Sequence, residues 1–165
     1  MGGMKNSKPG RRTLARVAAV QALYQSEHGG ENAETVIDQF VRFRIGALPG
    51  GAGLEEGRVP EAHVPLFGKI VRVAVQQQDV LDAMLADAVP RNWPLARLDP
   101  VLRAVLRAGA AELWMPDGPP ARVAINEYIE VAHGFLQPEA VQMVNAVLDR
   151  LAHLLRAPEF ATPNQ

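Results

Sequence analysis

The chain has 165 residues, is 48% hydrophobic and 5% aromatic, and carries a net charge of −1. That length fits one domain with an aliphatic core, and that apolar content argues against wholesale disorder. The lack of cysteine excludes a disulfide framework and a thiolate metal site and fits a reducing cytoplasm, and no apolar run reaches the roughly 18 residues of a membrane span.

Residues 1–10 hold three glycines, a proline and no periodicity, and read as a disordered basic tail. No apolar core follows their charges, so they are not a secretory signal. Lys5, Lys8, Arg11, Arg12 and Arg16 all precede the first acid, Glu27, which leaves twelve basic against 18 acidic residues for the remainder. A basic arm is therefore joined to an acidic body, and such arms commonly bind nucleic acid; a solubilising tail is the alternative. The first helix is expected over 11–28, with Leu14, Val17, Val20 and Tyr24 as its apolar stripe and Gly29-Gly30 as its stop. Its cations sit at the wrong end for the helix dipole, so something other than local stability favours them.

A second helix is expected over 34–45, with Val36, Ile37, Phe40 and Val41 as its apolar positions. Residues 46–63 carry five glycines and two prolines and read as a surface loop. No strand precedes their glycines and no Gly-Lys-Ser/Thr follows, so they are not a phosphate cradle. One helix is expected from Pro65 to Val89, with Ile70, Val73, Gln77, Leu81, Met84 and Ala88 on one face, and Pro90 ends it. Trp93 is expected to fold back onto the core. Asp99-Pro100 is a helix start, an N-cap followed by proline at the first helical position. Leu102, Val105, Leu106, Gly109 and Leu113 form its buried side, and Gly109 suits a close helix–helix approach.

Two more helices flank residues 134–138, with Ile125, Ile129, Ala132 and Leu136 on one and Val141, Val144, Leu148, Leu151 and Leu155 on the next. Asn145 is expected to face the core as an amide bridge, for instance to Asn126. Residues 157–165 read as a flexible tail. The periodicity is helical throughout, which gives an all-α class.

Little in the chain suggests chemistry. The four histidines are not paired at helical spacing, so no metal site is read. Glu127 and Glu130 read as a solvated face, and neither serine sits in a nucleophile elbow. No catalytic residue and no cofactor is assigned.

Four segments carry a family resemblance: RRTLARVAAVQALYQSE, LDPVLRAVLRAGAAEL, VAINEYIEVAHGF and QMVNAVLDRL. In order and content they resemble the NusB family of bacterial transcription antitermination factors, over residues 11–156. The resemblance implies a compact helical domain of two packed three-helix bundles. It implies a cytoplasmic protein that binds boxA, a single-stranded element of nascent ribosomal RNA transcripts, together with NusE, a ribosomal small-subunit protein, within an RNA polymerase complex. Carried onto this chain, RNA contacts fall on the arm, Lys5, Lys8, Arg11, Arg12 and Arg16, and on Glu139, Gln142 and Met143 at the last helix. Tyr24 and the exposed start Leu102-Arg103 would meet NusE. The chain departs from the family where Gln142-Met143 replaces a frequent Lys-Phe and Leu102 a frequent acid. A non-enzymatic helical scaffold that self-associates, as a homodimer for example, is the alternative.

Overall fold

In this computed structural model the described residues are 9–45 and 61–161. Among them lie seven α-helices and two short 3-10 turns, and no strand. The expected loop over 46–63 falls mostly outside the described residues, but its end is fixed: Ala62 is buried, and the His63 amide donates to the Arg11 carbonyl at 3.0 Å.

Helix α1 (Arg11–Gly29) stops at Gly30, whose φ of 76° is a left-handed C-cap that glycine adopts without strain. The expected stripe is corrected here. Leu14 and Val17 are only half-buried and Tyr24 is exposed, whereas Ala15, Ala18, Ala19 and Ala22 are fully buried. Helix α1 is central and is packed on several sides, so no single stripe describes it, and its alanines admit neighbours closely. Helix α2 (Ala33–Phe43) is capped by Asn32, which accepts from Thr35 N at 2.8 Å. It buries Val36, Ile37 and Phe40, and the Phe40 ring stacks on Phe67 of the next helix at 5.6 Å.

The single helix expected from Pro65 to Val89 is two: α3 (Val64–Gln76) and α4 (Gln78–Ala88), bent at Gln77. Their buried residues stay in phase, so the pattern carries no sign of the bend. The cause lies in the neighbours: α3 packs on α1 and α2, while α4 lies on α5 and α7. Helix α5 (Pro100–Trp114) follows its Asp99 cap, which accepts from Val101 N at 2.8 Å and Leu102 N at 3.2 Å. A Cβ on Gly109 would lie 2.7 Å from Leu148 Cδ1, so the expected close approach is to the last helix.

Helices α6 (Ala121–His133) and α7 (Pro138–Leu155) complete the fold. Helices α1–α3 form one bundle and α5–α7 the other, and α5 touches both. Asn145 does not face the core: it is exposed, because the buried stripe of α7 is centred on Val144, Val147, Leu148 and Leu151. Nor is the segment after α7 frayed over 157–160, which form a 3-10 turn. Arg156 donates to the Leu113, Pro119 and Met115 carbonyls at 2.9–3.0 Å, and Glu159 accepts from Ala121 N at 2.7 Å. These two side chains satisfy backbone groups that the end of α5 and the start of α6 leave unpaired.

Candidate nucleic-acid interface

The first turn of α1 divides the basic arm into two kinds of arginine. Arg11 and Arg12 are exposed. Arg11 Nε reaches the Glu61 carbonyl at 3.4 Å, and Arg12 makes no ion pair among the described residues. Arg16, expected with them as an RNA contact, is only 5% exposed. Its Nε and Nη2 donate to the two Glu112 oxygens at 2.6 and 2.9 Å, and its Nη1 to Glu127 Oε1 at 2.9 Å. Burial alone would lower the guanidinium pKa, but the hydrogen bonds and charge of Glu112 outweigh it and hold the group above its ordinary value.

The cluster extends further. Thr13 Oγ1 donates to Glu127 Oε1 at 2.8 Å, and the Tyr128 hydroxyl donates to Glu112 Oε1 at 2.7 Å. Tyr128 is wholly buried, and burial followed by the Glu112 charge pushes its phenol well above the ordinary value. Arg16 thus has all three guanidinium nitrogens engaged and is buried out of reach of a phosphate. It fixes the turn that presents Arg11 and Arg12. Glu127, expected on a solvated face with Glu130, is instead part of this cluster. Glu112 and Tyr128 escaped the sequence reading. Their signals were a lone carboxylate inside the apolar run Ala108–Leu113 and a tyrosine in register with Ile125 and Ala132.

At the other end of α1, Tyr24 is 41% exposed and tilts against His28, ring centres 4.6 Å apart. Both line a depression of about 740 Å³ with Val20, Arg44, Val101 and Phe135. Tyr24 is therefore available to a partner. Leu102 is not: it is 4% exposed, and Val101 takes the open position instead. Arg103 is also committed. It donates to both Glu27 oxygens at 2.7 Å and to the Leu98 carbonyl at 2.7 Å. Arg107 bridges Glu27 and Asp82 beside it. The Arg103 hydrogen bond first, and Arg107 after it, hold the Glu27 carboxyl down at about 2.

At the start of α7, Glu139 and Gln142 are exposed and Met143 is half-buried against the core. Lys5 and Lys8 lie outside the described residues. No group of three histidines or carboxylates that could hold a metal occurs among the described residues, and no described helix is long and apolar enough to cross a membrane.

The sequence model of the NusB family matches residues 13–153. The chain belongs to the NusB family. It is 62% identical over 154 residues to the transcription antitermination protein NusB of Granulibacter bethesdensis, covering 93% of this chain and 94% of the relative. Among solved structures, T. maritima NusB superposes with a TM-score of 0.70 at 26% identity, covering 93% of this chain and 99% of that one. The antitermination factor NusB crystallised with NusE and dsRNA gives a TM-score of 0.68 at 21% identity, covering 87% of this chain and 97% of that one, a likeness of fold. The described part of the family match, from Thr13 to His153, takes in the Arg16 cluster and the C-terminal end of α1, and begins just after Arg11 and Arg12.

Proposed function

We propose that this NusB-family chain is a transcription antitermination factor that binds boxA-type RNA of nascent transcripts together with NusE. It acts in the cytoplasm as part of an RNA polymerase complex and catalyses no reaction. The observation that carries this reading is the 62% identity, over almost the full length of both chains, to a protein of that name. The geometry supports it at one place. Arg11 and Arg12 stand open at the start of α1, on a turn fixed by the buried Arg16–Glu112 pair, so two cations meet the RNA backbone from a rigid base. Lys5 and Lys8 add charge to the arm. Glu139, Gln142 and Met143 supply the second RNA contact, and Tyr24 with the adjoining depression meets NusE.

Two open arginines on an acidic body make a thin footprint, so RNA alone should bind weakly and NusE should raise the affinity. The test is a titration of labelled boxA RNA at fixed salt, with and without NusE. Tighter binding with NusE, and a preference for boxA over a scrambled sequence, is the expected result. Equal affinity for both RNAs with and without NusE would refute the reading.

A further inference from the structure

The turn between α4 and α5 carries a feature that the interface above does not use. Trp93 is 52% exposed, against the expectation that it folds inward. The apolar anchoring is done by its neighbours Val89 and Leu98, both buried, so the indole is not needed there. Arg91 and Arg97 flank it and are exposed, and their side chains make no hydrogen bond or ion pair among the described residues. Neither guanidinium sits over the indole ring. They are also the only charged residues from Val89 to Leu98.

This turn is rigid. Trp93 N donates to the Pro90 carbonyl and Arg97 N to the Pro94 carbonyl, both at 2.9 Å. Arg103 Nη1 clamps the Leu95, Ala96 and Leu98 carbonyls at 3.2, 3.2 and 2.7 Å. Of the nearby acids, Glu27 and Asp82 are already neutralised by Arg103 and Arg107, and Asp99 is turned to the start of α5, where it accepts from Val101 N and Leu102 N. An open aromatic ring and two unpaired cations are therefore held out by a clamped backbone, with little ordering entropy left to lose on binding.

We propose that Arg91, Trp93 and Arg97 form a second contact site for single-stranded RNA, with a base stacked on the indole and phosphates at the two arginines. The unpaired cations call for an anionic occupant, and the bare indole suits one that also carries planar rings. The site is distinct from the arm. It adjoins Glu27, and the fifteen helical residues from Arg12 to Glu27 span about 22 Å. The inference rests on the reading that this chain holds RNA, and extends it to a second place on the surface.

The chain has two tryptophans, so a Trp114→Phe background makes Trp93 the sole indole. A short, end-labelled polyuridylate is titrated into that protein, and its anisotropy and the Trp93 emission are followed together. The expected result is saturable quenching of Trp93 in step with anisotropy. Trp93→Leu should weaken binding roughly 5- to 150-fold, the range for one stacked base. Arg91→Ala/Arg97→Ala should flatten the salt slope by about 1.4, two single-strand phosphate contacts, at an unchanged melting temperature. A rise in anisotropy with silent Trp93 would overturn the site and leave the RNA reading standing. No anisotropy change at any salt would overturn both. Equal quenching by poly-glutamate would overturn it too, because the site would then read charge without bases.

Discussion

The two ends of α1 are pinned to α5 by the same chemistry with the signs reversed. At the start, Arg16 of α1 grips Glu112 of α5; at the end, Glu27 of α1 is gripped by Arg103 and Arg107 of α5. The helices run antiparallel, so each charge sits at the end its own helix dipole disfavours and its partner offsets the cost. The surroundings differ. Arg16 and Glu112 are 6% and 0% exposed in their side chains, whereas Glu27 is 24% exposed. A dry pair cannot be half-removed cheaply, while a partly wet one is screened and replaceable. The dry end therefore serves as a fixed base, and the arm's arginines beyond it, Arg11 and Arg12, are open to a ligand.

The largest effect should come from breaking the dry end. Glu112→Ala strips a buried guanidinium of its bidentate partner and leaves the Tyr128 hydroxyl unpaired. A loss of about 3–5 kcal/mol is expected, read in urea unfolding. The melting temperature should fall by roughly 10 °C. A loss below about 1 kcal/mol would erase the distinction between the ends. Glu27→Ala should cost less, about 1 kcal/mol, because its partners keep water, and Arg103 keeps three carbonyls and Arg107 keeps Asp82.

The ends should also separate by pH. Glu27 is held at about 2, below its ordinary 4.5, so its contribution is full above 4.5 and is lost as pH falls toward 2. Tyr128 is raised above its ordinary 10.0, so its contribution is full below that value and is lost as pH rises past it. Unfolding free energies of wild type and Glu27→Gln should therefore converge in acid and keep a constant gap between pH 6 and 9. A gap that persists below pH 2 would show that Glu27 works by packing rather than charge.

The helices were legible in the sequence because their apolar spacing is local. The α5 and α7 stripes, the Asp99-Pro100 start and the use of Gly109 all follow from neighbours within two turns. What stayed hidden depends on partners far along the chain. Arg16 looks like Arg12 until Glu112, ninety-six positions away, comes to meet it. The in-phase stripe of α3 and α4 conceals a bend set by the different neighbours of the two helices. Arg156 looks like a fraying end until the carbonyls closing α5 are placed beside it. Trp93 was drawn inward by its hydrophobicity, although Leu98 already filled that place. At the interface, Arg11, Arg12, Tyr24, Glu139 and Gln142 are exposed, whereas Arg16, Leu102 and Arg103 are taken by the fold itself.

The central claim is that the arm is split, with Arg16 structural and Arg11 and Arg12 open. It is tested most directly by the salt dependence of boxA RNA binding in an Arg11→Ala/Arg12→Ala variant. Both side chains are exposed, so unfolding free energy should stay within about 0.5 kcal/mol of wild type. Each single-strand phosphate contact contributes about −0.7 to the slope of log affinity against log salt. The account predicts a folded variant with weaker RNA binding and a slope flatter by about 1.4, two such contacts. A variant that melts like wild type and keeps its full affinity and slope would contradict it.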